Sequence, residues 1–94
     1  MINHVYIKEL LYADGSPIKV EAYTSLKDAL KSEGLVNLYR SCTYHIRKGD
    51  KFTCPGDLCN ISFQRIDAEI ISNEVIFYQG KQINLKRSRH GKRN

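Results

Sequence analysis

All three cysteines of the chain and one of its three histidines fall in CTYHIRKGDKFTCPGDLC, positions 42–59. Cys42, His45, Cys54 and Cys59 read C-x2-H-x8-C-x4-C. Thiolates and imidazole in fourfold coordination suit zinc, and a small core gains from a metal staple. Cys42 and His45, three apart on a helix, could face one ion. The second pair is spaced loosely for a zinc knuckle, because Cys54 and Cys59 straddle Pro55-Gly56. The competing reading places Cys42 and His45 on the buried stripe of a helix and the other two thiols beside a turn. An odd number of cysteines also argues against a disulfide framework. Reduced thiols, no metal and no cofactor are therefore the expectation, with Cys42, His45, Cys54 and Cys59 as the only candidate ligand set.

The second group able to do chemistry is cationic. Within VNLYRSCTYHIRKGD, Leu38, Cys42, His45 and Ile46 recur at i, i+4, i+7, i+8, an apolar helix stripe. Arg40, Thr43, Tyr44 and Arg47 then share the opposite face. Guanidiniums there could read guanine edges or phosphates, and a tyrosine hydroxyl could contact phosphate. Lys48 and Lys51 extend the basic character past the helix end. The competing reading is an ordinary solvated face.

The third group is the carboxyl terminus. Residues 1–85 carry ten basic and ten acidic groups, while KRSRHGKRN adds Lys86, Arg87, Arg89, Lys92 and Arg93 without an acid, so the net charge of +5 lies in residues 86–94. Such a block repels itself, lacks an apolar anchor and is expected to be disordered alone. It reads as an arm for phosphates or another acidic surface.

Enzymatic readings find little support. There is no Gly-rich phosphate loop, no HExxH pair and no recognisable Ser/His/acid spacing. His4, His45 and His90 stand apart. A Cys42–His45 dyad would lie on the face assigned to the core. No small-molecule substrate is expected.

The elements that must position these groups fit one domain over residues 1–85 followed by the tail, since 94 residues at 41% hydrophobic bury one modest core. HVYIKELLYADGSPIKVEAY reads as a hairpin turning at Asp14-Gly15-Ser16-Pro17. TSLKDALKSEG reads as a short helix capped by Ser25 with Asp28 three residues on, and stopped by Gly34. The second helix ends at Gly49. Strands are expected at 51–53, at 60–66, optionally at DAEIISN, and in EVIFYQGKQINL with its tip at Gln79-Gly80. The class is thus α+β, with two short helices among antiparallel hairpins. The expected core is Val5, Ile7, Ile18, Val20, Leu26, Leu30, Leu38, Cys42, Ile46, Ile61, Phe63, Ile76 and Leu85. No apolar run approaches a membrane span, and MINHVYIKEL lacks the features of a signal peptide, so a cytoplasmic location is expected.

YTSLKDAL, then GL, then YHIRKGDKF resembles the small helix-turn-helix modules found beside phage-type homing endonucleases and in small phage proteins. The likeness covers about residues 22–66, with Val36-Asn37-Leu38 lengthening the turn or the helix. It implies a winged helix-turn-helix whose second helix enters DNA, in a chain encoded by a phage or mobile element. The host cytoplasm, or the virion, would be its place. Two functions follow as expectations. One is a small non-enzymatic DNA- or other nucleic-acid-binding protein with a basic arm. The other is a phage structural or interaction protein whose neutral body docks on a protein partner or a second copy, while the tail touches nucleic acid or an acidic surface.

Overall fold

Alternation along the first strand decides which side chains meet which layer. β1 runs Ile2–Leu11 and pairs antiparallel with both β2 (Pro17–Tyr23) and β4 (Asn60–Glu69). Successive side chains of a strand point to opposite faces. The register puts Tyr6 beside Tyr23 and Arg65, and Lys8 beside Glu21 and Phe63. Those residues share one face. Val5, Ile7 and Glu9 share the other with Val20, Ala22, Ser62 and Ile66. β3 (Phe52–Pro55) pairs with β4 at one end of the sheet, and β5 (Val75–Tyr78) and β6 (Lys81–Lys86) form a hairpin at the other, in the order β3-β4-β1-β2-β6-β5. Every pairing is antiparallel except β2 with β6, which touch in parallel at Ala22↔Leu85 and Tyr23↔Lys86. This computed structural model describes residues 2–71 and 74–86. The expectations for Arg87, Arg89, Lys92 and Arg93 lie outside the described residues.

The first face is covered by α1 (Leu26–Lys31) and α2 (Tyr39–Arg47), joined through a 3-10 turn at Val36–Leu38. Ser25 caps α1 as its sequence requires, its Oγ accepting from Asp28 N–H. Both helices stop in the same way. Gly34 and Gly49 take φ of +70° and +86°, and the residue after each returns its N–H to the last turn: Leu35 to Leu30 O at 2.9 Å and Asp50 to His45 O at 3.1 Å. Only glycine enters that region freely, and these hydrogen bonds satisfy carbonyls the helix would leave bare. Leu26, Ala29, Leu30, Cys42 and Ile46 then pack on Tyr23, Ile61 and Phe63 as one cluster. His45 stacks on Phe52 at 5.6 Å between ring centres, which pins α2 to β3.

The opposite face is closed by the β5–β6 hairpin folding across it. Ile76 and Leu85 are buried with Val5, Ile7, Ala22 and Ala68, and Gln64 Nε2 donates to Tyr78 Oη at 2.5 Å. The expected α+β class is observed. Three core assignments differ, among them Val20, which is only half-buried against the hairpin-side cluster. Ile18 is 46% exposed, because the hairpin does not reach the start of β2, and Leu38 is only half-buried in the 3-10 turn. The optional strand at DAEIISN is the run-on of β4, which continues to Glu69, followed by a single bridge from Ile71 to Val75.

Sequence patterning did not anticipate Lys8, a buried lysine under the helices. Its Nζ reaches Glu21 at 2.8 Å, Glu33 at 2.6 Å and Ser32 Oγ at 2.9 Å, clasping the sheet to the end of α1. Burial alone would lower the Lys8 pKa, but the hydrogen bonds to Glu21 and Glu33 outweigh it and raise it. Burial alone would lift the Glu21 carboxyl. Hydrogen bonds from Lys8, Tyr23 and Lys19 reverse that and hold it at about 2.

Candidate functional site

α2 is short, and its apolar stripe fixes what it shows to solvent. Cys42 and Ile46 face the sheet, so Arg40, Tyr44, Arg47 and Lys48 must point outward, and all four are exposed. A shallow groove of about 770 Å³ runs along them, lined by Val36, Asn37, Tyr39, Arg40, Thr43, Tyr44, Arg47 and Lys48. A second depression of about 360 Å³ shares Tyr39, Thr43 and Arg47 with it and descends between α2, the start of α1 and the sheet. Tyr6, Thr24, Ser25, Lys27, Ile46 and Arg65 are among its walls.

The two depressions form a continuous surface that carries Lys27, Arg40, Arg47, Lys48 and Arg65, and no aspartate or glutamate lines either one. Among the described residues these five cations enter no ion pair, whereas Lys8, Lys19 and Lys51 all do. Two of them lie over tyrosine rings instead: Lys27 over Tyr39 at 5.4 Å and Lys48 over Tyr44 at 4.9 Å. A cation held against an aromatic face keeps its donors free for an anion.

The sequence-derived set is divided by the fold. Arg40, Tyr44, Arg47 and Lys48 come together as expected. Thr43 lies on the same groove, but its Oγ1 is buried without a hydrogen-bond partner, beneath the stripe rather than on it. Lys51 is elsewhere. Its Nζ lies 3.9 Å from Glu9, whose carboxylate belongs to the sheet face opposite the helices. Lys86 lines a different cleft, between β2 and β6, although its carbonyl accepts the Thr24 N–H at 3.0 Å. Thr24 lines the second depression, so the Lys86 backbone lies beside that rim. Lys27 and Arg65 went unnoticed in the sequence. The available signal was long-range: Arg65 joins the site because β4 places it opposite Tyr6, and Lys27 because α1 begins over that edge.

The four candidate metal ligands do not converge. Among the described residues no group of three or more His, Cys, Asp or Glu is placed to hold an ion. Cys42 is buried in the helix-covered core, where burial pushes its thiol up to about 12, the neighbouring Cys54 adding to it. Cys54 packs against the same cluster and is raised mainly by burial. His45 is occupied by Phe52 and by the edge of Tyr44 at 5.4 Å. Cys59 closes the β3–β4 turn, its carbonyl accepting Gly56 N–H at 2.8 Å. A Cβ on Gly56 would meet that oxygen at 2.6 Å, so the turn requires glycine. A thiol held protonated is neither a nucleophile nor a ready ligand.

No helix among the described residues is long and apolar enough to cross a membrane. The chain matches no known family model, no curated protein and no solved structure.

Proposed function

We propose that this chain is a small non-enzymatic nucleic-acid-binding protein that presents α2 and the adjoining edge of the sheet to a phosphate backbone, with its basic carboxyl-terminal residues as a second contact. One observation carries the reading. Five unpaired cations and three tyrosines line a continuous surface from which acids are excluded, in a body whose charges sum to zero. Cations that a fold leaves unpaired on one face are the electrostatic footprint of a polyanion. Lys27, Arg47 and Arg65 would take phosphates. Arg40 and Tyr44, on the exposed face of α2, would meet bases or sugar, which fits the resemblance to phage helix-turn-helix modules, where the second helix enters DNA.

The test is binding of labelled duplex and single-stranded oligonucleotides at low salt. Arg47→Gln and Arg65→Gln should weaken every sequence alike, since phosphate contacts position without specifying. Arg40→Ala or Tyr44→Ala should alter preference between sequences by about 1–3 kcal/mol if α2 reads base edges. A protein that binds no oligonucleotide at low salt would end the nucleic-acid reading. The electrical balance of residues 1–85 favours the second reading, a phage structural or interaction protein whose body docks on protein.

A further inference from the structure

The five free cations are not spread evenly over their surface. Arg40 and Lys48 belong to the groove along α2, Lys27 and Arg65 to the depression that descends beside it, and Arg47 to both. The depression is the smaller of the two, about 360 Å³. Three separate elements each bring one cation to it: Lys27 from α1, Arg47 from α2 and Arg65 from β4. No acid lines it. Ser25 stands on its wall, and its Oγ accepts the Asp28 N–H, which leaves the hydroxyl proton to donate.

The two ends of the depression differ in charge. Towards α2 it runs into the groove past Tyr39, Thr43 and Arg47, which line both. Along the sheet the sign reverses. Arg65 stands opposite Tyr6, the next pair on the same face is Asp67 with His4, and the pair after that brings Glu69. Asp67 Oδ1 lies 2.6 Å from His4 Nδ1, and both side chains are exposed. A nucleic-acid backbone that followed the α2 groove and continued past Arg65 would carry its phosphates over Asp67 and Glu69. A strand that stopped in the depression would not.

We propose that the depression receives the terminal phosphate of a nucleic-acid strand whose following nucleotides lie along the α2 groove. The proposal rests on the nucleic-acid reading above and names the phosphate that the site prefers. A phosphodiester within a backbone carries a single negative charge and is tethered on both sides. A terminal monoester carries about −1.5 to −2 at pH 7, presents three acceptor oxygens and is tethered on one side only. Three unpaired cations around a depression that no acid lines match the monoester better. The guanidiniums of Arg47 and Arg65 would take its oxygens through paired N–H groups, Lys27 would add a point charge, and Ser25 a hydroxyl donor. Lys48 would hold a following phosphate, while Arg40 and Tyr44 keep the contacts to base or sugar.

The experiment compares one single-stranded oligonucleotide in three forms: with a 5′-phosphate, with a 3′-phosphate, and with hydroxyls at both ends. Each is labelled at an internal base and titrated by fluorescence anisotropy at low salt. One phosphorylated form should bind about tenfold more tightly than the other two, because the groove fixes the direction of the strand. Lys27→Gln and Arg65→Gln should each remove most of that preference while the hydroxyl form still binds. Lys81→Gln, the same charge change in the cleft between β2 and β6, should leave the preference intact. All three side chains are exposed, so the melting temperatures should match the wild type. Adenosine monophosphate should displace the phosphorylated form far less effectively than the unlabelled oligonucleotide does. Equal displacement would assign the depression to a free nucleotide and overturn the proposal. Equal affinity of all three forms, equal gains at both ends, or a preference that survives Lys27→Gln and Arg65→Gln would also overturn it, and would leave the nucleic-acid reading standing. Binding of none of the three forms would end both.

Discussion

Lys8 is the residue on which the helix-covered face depends most locally. It links the sheet to Glu33 beyond α1 and to Glu21 on β2. Removing one partner of a buried pair leaves the other desolvated and uncompensated, so Lys8→Met should cost about 3 kcal/mol in urea unfolding. The pH dependence has a definite sign. Glu21 titrates at about 2 in the folded chain, below the range of an unfolded glutamate. Its contribution is therefore present above the unfolded value and is lost as pH falls from about 5 towards about 2. Lys8 is shifted the other way. Its contribution is full below the unfolded lysine value and is lost as pH rises through the higher folded one. The unfolding midpoint of Glu21→Gln should accordingly vary less between about pH 5 and about pH 2 than that of the wild type, and parallel curves would contradict the assignment. Thr43 gives a complementary prediction. Its Oγ1 is buried and unpartnered, so Thr43→Val should be neutral or stabilising by up to about 1 kcal/mol, with oligonucleotide affinity unchanged. A large loss of affinity would mean that the hydroxyl turns outward to the ligand.

The helices were legible in the sequence because their signals are local. Ser25 with Asp28, Gly34 and Gly49 punctuate them, and the Leu26/Ala29/Leu30 and Cys42/Ile46 stripes give their buried faces. Leu30→Ala and Ile46→Ala should each cost about 2–5 kcal/mol, measured as unfolding free energy. Losses below about 0.5 kcal/mol would mean that the faces are reversed. The outward residues of α2 were legible for the same reason, as the complement of the stripe. What could not be read was non-local. The sheet order sets Arg65 under α2 and sends Lys51 to the other face, and neither follows from residues near them in sequence. Ile18 sits in a correct strand on the correct face, yet the hairpin that covers this face stops short of it. Lys8 and Glu9 are charged residues in a strand pattern, and their burial came from the helices and hairpin that close over β1.

At the scale of the whole molecule, charge is sorted by location. Ion pairs lie within the sheet and at its junction with α1, while the α2 side keeps its cations free, and the last nine residues add five more. If both regions meet one polyanion, their contributions to salt dependence should add, because each neutralised phosphate releases counterions independently. Residues 86–94 can account for a slope of at most about −4.5 in log affinity against log salt on duplex DNA, and each groove cation for about −0.9. The most direct measurement is therefore a salt titration of duplex binding by three proteins: wild type, a form lacking residues 87–94, and full-length Arg47→Gln/Arg65→Gln. The tail-less protein should still bind at low salt with a shallower slope, and the double substitution should flatten the full-length slope by about 1.8 without altering the melting temperature. A slope that the double substitution leaves unchanged, with all affinity lost on removal of the tail, would contradict a nucleic-acid-binding face on α2.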